Sequence, residues 1–125
     1  MKTAITIVLA FLLYFNYASG QELGLVFYNV ENLFDTADDT LKADEEFLPG
    51  GERRWTPSRY HRKLASIARA VAAAGEWELP SLAGLCEVEN EEVLKDLVYG
   101  TVLSAGNYGI VHRDSPDARG IDVAL

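Results

Sequence analysis

Residues 23–30 read Leu23-Gly24-Leu25-Val26-Phe27-Tyr28-Asn29-Val30, a nearly continuous apolar run rich in branched and aromatic side chains that stops at the polar Glu31-Asn32. Such a run predicts a strand buried on both faces, because a half-exposed strand would alternate apolar with polar residues. A second run, Leu82-Ala83-Gly84-Leu85-Cys86-Glu87-Val88, follows Pro80 and carries one carboxylate, Glu87, near its end. The chain between them has a helical period. Tyr60, Leu64, Ile67, Ala68 and Val71 recur at three- and four-residue spacing, while Arg59, Arg62, Lys63 and Arg69 fall mostly on other faces. Thr56-Pro57 supplies an N-cap followed by a proline in the first turn, where a missing N–H costs nothing, and Gly75 supplies the stop.

Working outward, Asn90 is expected to cap a second, shorter helix carrying Val93, Leu94, Leu97 and Val98, with Glu91 and Glu92 placed in its first turn to complement the helix dipole. Residues 108–113 and 120–125 read as two more strands joined by the turn-rich Asp114-Ser115-Pro116-Asp117-Ala118-Arg119, a hairpin. Strands alternating with helices predict an α/β domain, and the hairpin makes its sheet mixed rather than purely parallel. Residues 35–46 bring Asp38, Asp39, Asp44, Glu45 and Glu46 with few apolar residues, so a solvated loop is expected there. Calcium is the other use for such a loop, but its acidic spacing does not follow the EF-hand pattern.

The N-terminus has a different purpose. Lys2 precedes an apolar run over residues 4–15, then Ala18-Ser19-Gly20 before Gln21, which predicts a secretory signal peptide over residues 1–20, cleaved after Gly20; an uncleaved anchor is the alternative. No cysteine stands where a lipoprotein would need its lipidated thiol, so the mature product is expected to be secreted or periplasmic with no stable membrane insertion. Removing Lys2 takes the formal charge from −8 to −9. Acidity of that size argues against a broad basic face for duplex binding, but is compatible with a small phosphate site. The single cysteine, Cys86, excludes an intramolecular disulfide. At the other end Ile121-Asp122-Val123-Ala124-Leu125 alternates like a strand and stops without a turn signal, so residues 21–125 are expected to be the N-terminal portion of a larger domain; the alternative is a natural ending in an edge strand.

The chemistry is expected where the two apolar strands end, because open α/β sheets place their sites at the carboxyl ends of strands. Asn29 and Glu31 stand at the end of the first and Glu87 at the end of the second. Were those strands neighbours, one amide oxygen and one carboxylate would converge, a ligand set that suits magnesium and leaves positions open for water and phosphate oxygens. Each residue has a plainer reading. An Asn after a strand often closes a turn on its own backbone, and Arg119 in a turn is by default a solvated arginine. Glu87 is harder to dismiss, since a carboxylate within an apolar strand needs a cation or a basic partner. Glu89 and Asn90 are read as part of the helix entry, and the basic helix face with Arg53 and Arg54 upstream as a solvated face, phosphate contact being the alternative.

Tyr28-Asn29-Val30-Glu31-Asn32-Leu33-Phe34 resembles the first motif of the endonuclease/exonuclease/phosphatase superfamily, Gly84-Leu85-Cys86-Glu87-Val88-Glu89-Asn90 resembles its metal-binding Glu motif, and Arg119-Gly120-Ile121-Asp122-Val123-Ala124-Leu125 is similar to its next strand. Deoxyribonuclease I, abasic-site endonucleases, sphingomyelinases and inositol polyphosphate 5-phosphatases belong to that group. The resemblance implies the N-terminal part of a two-sheet α/β sandwich of the deoxyribonuclease I type. It also implies Mg²⁺ or Mn²⁺ held by Glu87 and Asn29, with Glu31 as a further acidic residue near the metal and Arg119 within reach of a substrate phosphate. Asn29 and Glu87 are thereby the catalytic candidates. Cys86 stands where many members carry Gln, a departure that weakens a hydrogen bond beside the metal, because a thiol is a weak donor, and leaves the Glu87 ligand in place.

The implied reaction is metal-dependent hydrolysis of phosphate esters, with nucleic acid or a small phosphoester as partner; no feature predicts a protein partner. Two alternatives accompany it: a phosphatase of inositol phosphates or phospholipid head groups, and a secreted binding module that keeps the fold without catalysis. The resemblance places the family's Asp-x-Asn and Asp-His pairs farther along a chain than residues 1–125, neither His61 nor His112 resembles the catalytic His, and Asp117 and Asp122 stay unassigned. The piece alone is therefore expected to bind metal weakly and turn over nothing measurable.

Overall fold

The computed structural model describes residues 22–76 and 78–125, and the export segment expected over residues 1–20 lies outside them. Among the described residues, no helix is long and apolar enough to cross a membrane. The described residues form four strands and two α-helices, in the order β1 (Leu25–Leu33), α1 (Pro57–Ala74), β2 (Leu82–Val88), α2 (Glu91–Tyr99), β3 (His112–Arg113) and β4 (Asp122–Ala124). They form an α/β unit with one mixed sheet, ordered β1-β2-β4-β3, in which β1 and β2 run parallel and the other pairs antiparallel.

The helices form for the reasons their period gives. Tyr60, Leu64, Ile67, Ala68 and Val71 on α1, and Val93, Leu94, Leu97 and Val98 on α2, are all buried. With Val30, Leu33, Leu85, Val88 and Ala124 of the sheet, nearly all of them make one core. The Asn90 side-chain oxygen accepts from the Val93 N–H at 2.9 Å, satisfying one of the orphan donors of α2. Thr56 holds the extended backbone of an N-cap, yet its side chain makes no capping bond, and it is the Thr56 carbonyl that receives the Arg59 and Tyr60 N–H groups.

Three expectations need correction. The first strand is not buried on both faces: Leu25 is 66 % and Phe27 72 % exposed. The cause is its place at the sheet edge with only β2 beside it, and with helices against only one face. Val26 and Val30 turn to the core, while Phe27 lies over Gly84 on the other face, where Val123 and Leu125 are also exposed. Residues 35–46 are not simply a solvated loop. Asp44 is 1 % exposed, the Ala43 N–H donates to the Ala118 carbonyl of the hairpin turn, and the loop delivers Phe47 to stack on Phe34 with ring centroids 4.0 Å apart. Two aromatic anchors, Phe47 and Trp55, account for that folding-in, since their burial outweighs the solvation of a loop otherwise rich in charge.

The hairpin is present but short. Only His112–Arg113 and Asp122–Ala124 are strands, although Val111 and Leu125 still exchange backbone bonds of 2.6 and 2.8 Å. Upstream a 3-10 turn over Val102–Gly106 ends in the left-handed Asn107, and downstream Gly120 sits at φ 74°, so neither flank continues as extended chain.

Candidate functional site

A plain period-2 strand cannot place both Leu85 and Val88 in the core, since three residues separate faces rather than repeat them. Both are there, and so are Val30 and Leu33 on the neighbouring strand. The phase is changed by residues in the left-handed region: Glu87 at φ 64° in β2, and Glu31 and Asn32 at φ 56° and 61° in β1. The strand registers shift at the same places, between Asn29 and Leu33 and between Cys86 and Val88. Continued alternation from Leu85 would have driven Glu87 into the core. The irregularity instead gives that place to Val88 and aims Glu87 at the neighbouring strand end, the common use of a bulge beside a site.

There the predicted site residues meet. Asn29 Nδ2 donates to Glu87 Oε1 at 2.9 Å, the Asn32 N–H donates to Glu87 Oε2 at 3.1 Å, and the Glu31 N–H donates to Asn29 Oδ1 at 2.8 Å. Asn29 therefore closes a turn on its own backbone and orients a carboxylate as well. Glu31 joins the group through its main chain, and its carbonyl accepts from Lys63 Nζ. A cleft of about 510 Å³ opens at these groups, lined by Asn29, Glu31 and Glu87 and by the cationic Arg53, Arg59 and Lys63. Arg59 and Lys63 lie over the Trp55 ring, 5.5 and 5.7 Å from its centroid, and Arg53 lies 4.9 Å from that of Phe47. Burial pushes the Lys63 ammonium below the usual lysine range, with the nearby Glu31 and Glu87 charges opposing the shift.

The donor set fits a hard divalent cation. Each Glu87 oxygen is committed to one hydrogen bond, leaving lone pairs toward the cleft, and every side-chain ligand on offer is an oxygen. The Asn29 amide faces Glu87 with its nitrogen, an assignment set by the hydrogen-bond network, so here it positions the carboxylate.

Arg119, expected near a substrate phosphate, is paired with Asp117 through Nη2 at 3.0 Å and Nε at 3.2 Å, exposed on the hairpin turn. Two groups escaped the sequence reading. Glu89, read only as helix entry, is 6 % exposed and accepts from the Asp35 N–H at 2.7 Å. Burial, reinforced by the charges of Asp35, Asp44 and Asp39, pushes its carboxyl up to about 7 against the opposing pull of that hydrogen bond. His112, Asp114 and Asp122 hold ligating atoms within 4.8 Å of one another, a second place where a metal fits. Asp122 is already occupied there: His112 Nε2 lies 3.0 Å from one oxygen and the Ser115 N–H donates to the other at 2.6 Å, clasping the hairpin. The alternation of apolar Ile121, Val123 and Leu125 around it predicts Asp122 on the solvent face, so its burial had no local signal. A separate cavity of about 500 Å³, between the sheet and α2, is lined by no charged side chain and carries no comparable chemistry.

Compared with protein-family models, residues 24–125 match one described as the Endonuclease/Exonuclease/phosphatase family. No curated protein and no solved structure matches the chain.

Proposed function

Because the chain belongs to the endonuclease/exonuclease/phosphatase family, a family of phosphoesterase-type hydrolases, we propose that it hydrolyses phosphate esters with Mg²⁺ or Mn²⁺ held at Glu87 in the Asn29–Glu87 cleft. The observation that carries this reading is the convergence of Asn29, Asn32 and Glu87 at the ends of two parallel strands, in a cleft that cationic side chains also line. A bound cation there would supply Lewis-acid polarisation of a phosphoryl oxygen and charge stabilisation at the leaving oxygen. Glu87 contributes the anionic ligand. Asn29 and the Asn32 N–H fix its two oxygens, so the carboxylate is oriented before substrate arrives. Glu31 adds a second negative charge near that ligand.

Export with cleavage after Gly20 belongs to the same proposal, and Gln21 as the first residue of the secreted protein, read by intact mass, is its check. The activity is tested by turnover of bis(p-nitrophenyl) phosphate and p-nitrophenyl phosphate by the full-length protein, with Mg²⁺ or Mn²⁺ titrated after chelation. Hydrolysis that rises with the cation and stops with chelator is expected. Cation binding without turnover of either ester would sink the catalytic reading and favour a binding module on the same fold.

A further inference from the structure

The β3–β4 hairpin closes on two like charges. Its register pairs Arg113 with Val123, so one step farther along, just past the end of β3, Asp114 stands opposite Asp122. Like charges directly opposite each other destabilise a strand pair. Among the described residues no Lys or Arg pairs with either carboxylate; the basic group at hand is His112, whose Nε2 lies 3.0 Å from Asp122 Oδ2 and which is charged only when protonated. A neutral imidazole gives Asp122 a hydrogen bond but no countercharge. Asp122 is 2 % exposed, and a carboxylate buried to that degree is normally paired with a cation or bound to a metal.

The three side chains are already placed as ligands. One ligating atom each from His112, Asp114 and Asp122 lies within 4.8 Å of the others. Two ligands about 2.0–2.2 Å from one tetrahedral zinc ion stand roughly 3.3–3.6 Å apart, so His112 Nε2 and Asp122 Oδ2 need to open by only a few tenths of an ångström to admit the ion. The other Asp122 oxygen accepts from the Ser115 N–H at 2.6 Å, the kind of outer contact that orients a ligating carboxylate. Asp114 is exposed on the turn, which gives an ion its way in. An imidazole beside two carboxylates suits zinc, whereas magnesium and calcium take oxygen ligands. Every side-chain ligand at Glu87 is an oxygen, so the two places select different ions.

We infer that His112, Asp114 and Asp122 form a zinc site that clasps the hairpin, with three protein ligands and a fourth position left to water. The ion takes the place of the His112–Asp122 hydrogen bond and turns two opposed carboxylates into ligands of one charge. None of the three residues lines the Glu87 cleft, and the inference does not depend on what Glu87 binds. Asp122 is paired with Val88 of β2, and the Ala118 carbonyl of the same turn receives the Ala43 N–H, so the clasp fastens the hairpin where it meets both the sheet and the loop that carries Phe47.

Full-length protein carrying Glu87→Gln and stripped of metal by chelation isolates this site. Co²⁺, which accepts the same ligands as zinc and absorbs visible light when bound to them, is the probe. One equivalent should produce a visible spectrum that Zn²⁺ abolishes and a large excess of Mg²⁺ leaves unchanged. Saturating Zn²⁺ should raise Tm by about 4 °C or more. Asp114→Asn removes an exposed ligand and leaves the buried Asp122 and its bonds in place, so the variant should fold as before, yet lose zinc affinity on the order of 100-fold and with it the rise in Tm. His112→Gln should likewise lose the spectrum. Absence of saturable Co²⁺ or Zn²⁺ binding, displacement by Mg²⁺, or binding and a Tm rise undiminished in Asp114→Asn would each overturn the site.

Discussion

Asn29 and Glu87, 58 residues apart in the chain, are joined side chain to side chain by a 2.9 Å hydrogen bond across the parallel pair β1–β2. The bond ties the two strand ends together where their registers slip, and it leaves the carboxylate facing a cleft rather than the core. Whatever binds at Glu87 meets an anion whose orientation is already set.

Replacing Glu87 by Gln keeps the side-chain volume and removes the charge. Turnover of a phosphodiester should fall on the order of 100-fold or more, with part of the loss recovered at high Mg²⁺ or Mn²⁺. Asp122→Asn, at the other place where a metal fits, should leave the cation dependence where it was. Titrating the cation against rate for both variants decides between the places, and the reverse pattern would move the assignment to the hairpin.

Asn29→Ala removes the donor to Glu87 and also the acceptor for the Glu31 N–H. A partner that orients a ligand is typically worth about 10- to 100-fold in activity or metal affinity, so a loss of that size is expected. The apparent cation affinity should fall less than in Glu87→Gln, because the charge remains. A variant with wild-type kcat and cation dependence would show that the bond positions nothing.

Glu89 links the site's surroundings to pH. Its carboxyl stands at about 7 in the folded chain against an ordinary 4.5, so over that interval the folded state keeps a proton the unfolded state has released. The stabilisation is complete below the unfolded value and is lost as pH rises through the folded one. Wild type should therefore lose Tm between about pH 5 and about pH 8, and Glu89→Gln, which still accepts from the Asp35 N–H, should lose less and be the more stable at the upper end by up to about 3 kcal/mol. Parallel Tm profiles for the two proteins would refute this.

Asn90→Ala should cost roughly 1 kcal/mol, the usual worth of an N-cap, with a further small loss because Asn90 Nδ2 also donates to Asp35 Oδ2 at 3.2 Å. The urea midpoint should drop with the slope unchanged. Asn90→Ser, which retains a capping oxygen, should restore most of it.

Much of this architecture was legible because its signals are local. The period of α1, the Asn90 cap and the bounds of β2 follow from spacing and turn chemistry within a few residues. The pairing of Asn29 with Glu87 was legible only as a condition on β1 and β2 being neighbours. What escaped is long-range. Leu25 and Phe27 look like core residues until the strand's edge position is known, and Asp44 and Glu89 look solvated until the loop folds over them. The left-handed backbone at Glu31 and Glu87 has no local sign at all, since glutamate, unlike Asn32, has no special tolerance for it.

That backbone has a consequence for how the protein can be improved. A non-glycine residue held at positive φ costs roughly 1–2 kcal/mol relative to its relaxed conformations, and three such residues converge on one cleft. Stability engineering guided by backbone preference alone would put glycine at position 87, and the product should melt higher and do nothing. Thermostabilised versions of this chain should therefore draw their substitutions from elsewhere, and a selection for heat resistance without a selection for turnover should dismantle the site first.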